Sequence, residues 1–252
     1  PSIKYGKVYS NKRSISSKAR YIIPVVVHVV HLPTHSLGTG TNISKAQIEH
    51  QIQLLNDSMK DLDNGIQFCM ATKDPSGLAI DGIIRHNTGN SVKVTNGDGG
   101  FGYLMTTYQL NPEKYLNIFI VPAIYKSNGT TESDIRGVGI PRTYKPDHPG
   151  IVMRYDYFGN FSTCSSCNLD SSSNGKILLH EAGHFFGLFH TFQGGCMDGG
   201  MDITTCPNQG DLCCDTRPES GPHWICNIDT NTCNETNDQN DPLYNYLSYR
   251  ET

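Results

Sequence analysis

The sequence predicts an α+β fold: a twisted mixed sheet with a backing helix and a second, histidine-bearing helix, followed by an irregular lobe stapled by disulfides. Three observations point there. Short Val- and Ile-rich runs alternate with two helical patterns through the first three quarters of the 252 residues, the order expected when helices cover a sheet. Of the nine cysteines, all but Cys69 fall between Cys164 and Cys233. The chain around them is rich in Gly, Asn and Asp, the composition of turns rather than of regular elements.

The first strand is Tyr21 to Val30, rich in Val and Ile with Pro24 near its start. Its apolar core is too short to cross a bilayer, which needs about 20 residues. A helix follows. Ser44 and Gln47 form a capping-box pattern, and Ile48, Ile52, Leu55, Met59 and Leu62 recur at spacings of four and three until Asn64 and Gly65 end the stripe. Ile66 to Ala71, Tyr115 to Val121 and Ile151 to Tyr155 read as further strands, separated by a Gly- and Asn-rich region without periodicity. Residues 159–174 read as loop, and Lys176 to Phe186 as the second helix, between Gly175 and Gly187. The expected organisation is an exposed tail over 1–20, a sheet-and-helix subdomain over 21–187 and a cysteine-rich subdomain over 188–252.

Net charge is −4 with neutral histidine, so no basic footprint for nucleic acid or anionic lipid is present. The clustered cysteines lack the paired C-x2-C rhythm of zinc ribbons and read as disulfides formed in an oxidising, extracellular compartment. Cys164 and Cys167 form a C-x-x-C without a βαβ context and read as a stapled loop, and Cys69 as an unpaired thiol in a strand.

The chemistry concentrates in His180 to His190, HEAGHFFGLFH. His180 and His184 lie four apart, which on a helix places both imidazoles on one face, within reach of one zinc ion. An unbroken helix would carry His190 about 240° round from His184 and away from that ion. Gly187 removes the conflict, because a residue without Cβ can take positive φ and turn the chain back. Three neutral imidazoles leave zinc an open position, as in catalytic rather than structural sites. Glu181, about 100° round from His180, is placed to hydrogen-bond a water there and serve as general base. His28, His31, His35, His50, His86, His148 and His223 have no ligand-like spacing.

The pattern H-E-x-x-H-x-x-G-x-x-H resembles the zinc signature of the metzincin metallopeptidases. The segments IPVVVHVVH, IQFCMATKDP, YLNIFIVP, HTFQGGC and GD..CDT resemble, in order, the landmarks of the pappalysin family within that clan. The resemblance implies a metzincin-like zincin fold with an active-site helix, one catalytic zinc on His180, His184 and His190, and an extended polypeptide as substrate. It also implies that Tyr249 steadies the oxyanion of the tetrahedral intermediate. Leu247 stands where the family has the methionine of its Met-turn; similar volume keeps an apolar floor beneath the ligands. By the same resemblance Asp211, Asp215 and Thr216 are the residues for a structural calcium, and Cys196 is expected to pair with Cys226. The function expected is that of a secreted zinc-dependent endopeptidase, with no nucleic-acid partner and no membrane insertion. Two other readings share the ligand set: a metzincin-like binding module without turnover, and a zinc hydrolase of a non-peptide amide.

Overall fold

The computed structural model describes residues 21–60, 65–88, 94–95, 98–196, 210–223, 227, 229–233 and 240–249. The valine-rich run forms β1 (Tyr21–His31), from which most of the sheet is built. Along one side, β1 pairs in succession with two short parallel strands, β2 (Ile66–Met70) opposite its first half and β3 (Ile83–Asn87) opposite its second. On its other side lies β5 (Leu116–Val121), then β8 (Gly150–Arg154), both parallel, and finally β7 (Gly137–Ile140), antiparallel to β8. The sheet is therefore mixed, as expected, with one antiparallel strand at its end. A second, two-stranded sheet joins β4 (Val94–Thr95) to β6 (Ile124–Tyr125).

Both faces of the large sheet are covered, which is why β5 is buried along its whole length. On one face Val25, Val27, Val29, Ile118, Ile120 and Met153 pack against α1 (Lys45–Met59) and α3 (Ile177–Phe185). On the other, Val30, Phe119, Val121 and Val152 meet Leu104 and Met105 of α2 (Asp98–Tyr108). Helix α1 buries the predicted stripe Ile48, Ile52, Leu55 and Met59; Leu62 lies outside the described residues. Its cap is half of the expected box. Ser44 accepts from the Gln47 backbone N–H (3.1 Å), but the Gln47 side chain is drawn away to donate to the carbonyls of Tyr155 and Phe158 (both 3.1 Å).

The region read as lacking periodicity holds β3, β4 and α2, and β7 was likewise not anticipated. Beyond α3 the described chain is turns and loops. Cys164–Cys167 and Cys196–Cys233 are disulfides, Cys214 is also disulfide-bonded, and Cys69 and Cys213 are free. The pairing of Cys196 corrects the expectation of Cys226, which lies outside the described residues. Cys233 is brought to 5.4 Å Cα–Cα from Cys196 because its neighbour Thr232 is anchored, its N–H donating to Asp241 (3.1 Å) and its hydroxyl accepting from Ser220 N–H (3.0 Å). Among the described residues no helix is long and apolar enough to cross a membrane.

Candidate metal centre

Helix α3 carries His180, Glu181 and His184 on a segment whose Leu178 and Ala182 are fully buried, so two prospective ligands and the carboxylate sit on a rigid support. The helix ends as the sequence requires. Gly187 stands at φ +92°, with its N–H on the His184 carbonyl (2.9 Å) and the Leu188 N–H on the Gly183 carbonyl (3.0 Å), the paired bonds of a Schellman stop. Open space surrounds the place a Gly187 Cβ would occupy; the turn needs glycine for its backbone angle, not for room.

That turn returns His190 to the helix. The Nε2 atoms of His180, His184 and His190 lie 3.0 to 3.2 Å from one another. Zinc–nitrogen bonds of about 2.0–2.1 Å in tetrahedral geometry place ligand nitrogens about 3.3–3.4 Å apart, so the triangle fits one such ion. Two outer nitrogens are committed elsewhere: His180 Nδ1–H donates to the Tyr246 carbonyl (2.6 Å) and His184 Nδ1–H to the Leu188 carbonyl (2.8 Å). Each bond selects the tautomer that turns an Nε2 lone pair toward the centre. Burial also favours the neutral rings. It lowers His180 to about 4, with help from the His184 charge, and His190 to about 3, with help from His184 and His180. Among the described residues this is the one group of three or more His, Cys, Asp or Glu side chains arranged to hold a metal.

Glu181 is nearly buried, and burial pushes its carboxyl up to about 8 against the opposing effect of the Gly139 N–H. That N–H donates to Glu181 Oε2 at 2.6 Å. The approach depends on β7 having no side chains at two positions. A Cβ on Gly137 would sit 2.7 Å from Glu181 Cγ, and one on Gly139 would strike the Glu181 carbonyl and lie 2.8 Å from His184 Cβ. The sequence signal was the Gly-x-Gly of residues 137–139, which weakens a strand pattern and so passed unread.

The floor comes from the last described segment. Leu247 is buried against Gly183, where a Cβ would come within 2.8 Å of Leu247 Cδ2. Tyr249 stands beside the imidazoles, its ring centroid 4.8 Å from His190 and 5.9 Å from His180. Burial, then the Glu181 charge, raises its phenol. In the loop before, Asp211 is buried and accepts from Cys213 N–H (2.9 Å) and from Thr216, while the Asp215 charge adds to burial in raising its carboxyl. The structure thus gathers Asp211, Asp215 and Thr216 in one turn, with Leu212 held at φ +66°. Asp211 lies apart from the histidine group.

The profile of peptidase family M43, described as pregnancy-associated plasma protein-A, matches residues 103–252. The chain belongs to this family. An extracellular metalloprotease of Pyricularia oryzae is 26% identical over 244 residues, spanning 91% of this chain and 68% of the relative. Extracellular metalloprotease 1 of Coccidioides posadasii is 40% identical over 75 residues, a stretch covering 30% of this chain and 23% of that protein. Among solved structures, mature mirolysin of Tannerella forsythia in complex with a cleaved peptide superposes with a TM-score of 0.67 at 26% identity, covering 92% of this chain and 85% of mirolysin. The M43 chain is therefore a zinc metallopeptidase with the metzincin fold of mirolysin.

Proposed function

We propose that this M43 enzyme acts outside the cell as an endopeptidase, with His180, His184 and His190 as zinc ligands, Glu181 as general base and Tyr249 as oxyanion donor. The observation that carries the reading is the convergence of three Nε2 atoms beside a buried carboxylate fixed by the Gly139 N–H. Zinc, when bound by the three imidazoles, supplies Lewis acidity toward the scissile carbonyl and toward water.

The chain's own residues supply the rest. Strand β7 ends the sheet beside α3, and an extended polypeptide can add to such an edge by backbone hydrogen bonds. Glu181, held on that edge by Gly139, takes the proton of the attacking water. Once protonated, the same carboxyl can return that proton to the leaving amine. The Tyr249 phenol donates to the carbonyl oxygen as it becomes an oxyanion. Leu247, buried against Gly183, supports an apolar floor beneath the ligands, which weighs against a module without turnover. In the C-terminal region, Asp211, Asp215 and Thr216 are read as ligands for a structural calcium, supported by two carboxylates and a hydroxyl meeting in one turn. Loss of thermal stability in EGTA, restored by calcium, is the expected outcome for that loop.

The test of the main reading is digestion of a denatured protein such as casein beside a small acylated amide, with and without 1,10-phenanthroline. Internal cleavage of the polypeptide that the chelator abolishes and added zinc restores is expected. Turnover of the small amide alone would favour the non-peptide hydrolase, and zinc-loaded protein with no turnover the binding module.

A further inference from the structure

Glu219 has no exposed surface, a rare state for a glutamate unless it is well partnered. Its partners include two hydroxyls that are themselves buried. Thr191 Oγ1–H donates to Glu219 Oε2 at 3.2 Å, and Ser248 Oγ–H reaches Oε1 at 3.3 Å and Oε2 at 3.4 Å. Each hydroxyl belongs to a residue adjoining the metal centre in sequence. Thr191 follows His190, and Ser248 lies between Leu247 and Tyr249. The same two segments also meet through their backbones, the Thr191 N–H donating to the Leu247 carbonyl (3.3 Å).

A carboxylate suits this junction because it only accepts, and its two oxygens can serve two hydroxyl donors at once. We propose that Glu219 is a positioning residue, clamping the chain that delivers the third imidazole to the chain that delivers the Tyr249 phenol. It touches neither substrate nor metal and acts through Thr191 and Ser248. The inference rests on the zinc-peptidase reading above and adds to it the part that sets the spacing between the His190 ligand and the oxyanion donor. Neither residue lies on a helix or strand, so their mutual geometry has no regular element to fix it. Misplacement by about 1 Å is enough to cost a reaction about a hundredfold.

The experiment compares Glu219→Ala, Glu219→Gln, Ser248→Ala and Thr191→Val in the full chain, reading kcat, KM, thermal melting and the rate of zinc loss to a chelating dye. For Glu219→Ala, kcat is expected to fall about 10- to 100-fold with KM within about twofold, the pattern of a lost transition-state interaction. Glu219→Gln, which keeps the shape and can pair both hydroxyls by turning one of them, should restore most of the rate. In a Tyr249→Phe background Glu219→Ala should cost far less than in the wild type, because the two act along one path. Ser248→Ala should lower kcat with zinc loss unchanged, and Thr191→Val should speed zinc loss.

Wild-type kcat in Glu219→Ala overturns the proposal. So does a loss of rate that persists undiminished in the Tyr249→Phe background with zinc loss unchanged, since that marks a merely structural role. If Glu219→Ala does not fold, the two single-arm variants decide: wild-type kcat and zinc loss in both also overturn it. Failure of the peptidase reading would show separately, as absent chelator-sensitive cleavage by the wild type, while zinc loss from Thr191→Val still reports on the clamp.

Discussion

The candidate metal centre is assembled from two regions that hold their residues by different means. His180, Glu181 and His184 ride on α3, packed on a sheet whose central strand β5 is buried along its whole length. His190 and Tyr249 ride on chain without regular structure, held by carbonyl acceptors, buried hydroxyls, Glu219 and a region tied by the Cys196–Cys233 disulfide. Apolar packing fixes the first half; directional bonds and covalent closure fix the second. Damage to one should therefore differ in kind from damage to the other.

The largest effect is expected in the packed half. Leu178→Ala removes a fully buried side chain of α3 from the core it shares with α1 and the sheet and should cost about 3–5 kcal/mol. Far-UV circular dichroism and zinc release should be lost together in urea; a zinc transition well before the dichroism would show that the two halves are not coupled through α3. Replacing Cys196 and Cys233 by serine opens a link spanning 37 residues, worth about 3–4 kcal/mol on the chain-entropy estimate. Here zinc release and loss of cleavage should precede loss of sheet dichroism. Coincident transitions would mean that the disulfide supports the whole molecule rather than the second half.

Acid should act on the packed half through a buried polar network carried by the sheet. His28 Nε2–H donates to Asn117 Oδ1 (3.0 Å) and His28 Nδ1 accepts from His86 (3.1 Å). Burial, reinforced by the neighbouring imidazole charge and opposed by the Asn117 hydrogen bond, lowers His28 to about 4; burial and the His31 charge lower His86 to about 4. The unfolded chain binds protons near the ordinary value of 6.5, so it takes them up before the folded one does. Stability is complete above about pH 6.5 and falls as pH drops toward 4. For His28 alone the loss between pH 7 and pH 5 should be about 2 kcal/mol. Urea melts of the wild type and His28→Gln at both pH values isolate it, and an unchanged difference would rule it out. The smallest effect belongs to the floor. Leu247→Met should change stability by less than about 1.5 kcal/mol and leave cleavage near the wild-type rate, whereas a large gain in rate would show that leucine distorts the centre.

The same contrast explains what the sequence disclosed. Strands β1, β5 and β8 and helices α1 and α3 were legible because burial imposes a period, and Gly187 because only glycine tolerates its backbone angle. Strand β7 was hidden because Gly137 and Gly139 abolish its side-chain pattern where Glu181 approaches. Helix α2, with three glycines in Asp98–Tyr108, carries too little propensity to be read. His180, Glu181 and His184 were legible because their spacing on one helix is itself the geometry, and His190 because Gly187 marks the turn that brings it back. Glu219 and the Cys196–Cys233 link were not, because they depend on chain crossings over 28 and 37 residues that no local pattern records.

The central claim is that one buried carboxylate, held beside three converging imidazoles, performs the chemistry without holding the metal. Glu181→Gln preserves the shape and tests it directly, with zinc content and polypeptide cleavage measured on the same sample. A variant that keeps wild-type zinc and melting behaviour while kcat/KM falls about 10²- to 10⁴-fold is the predicted result. A zinc-loaded variant that still cleaves at the wild-type rate would contradict it.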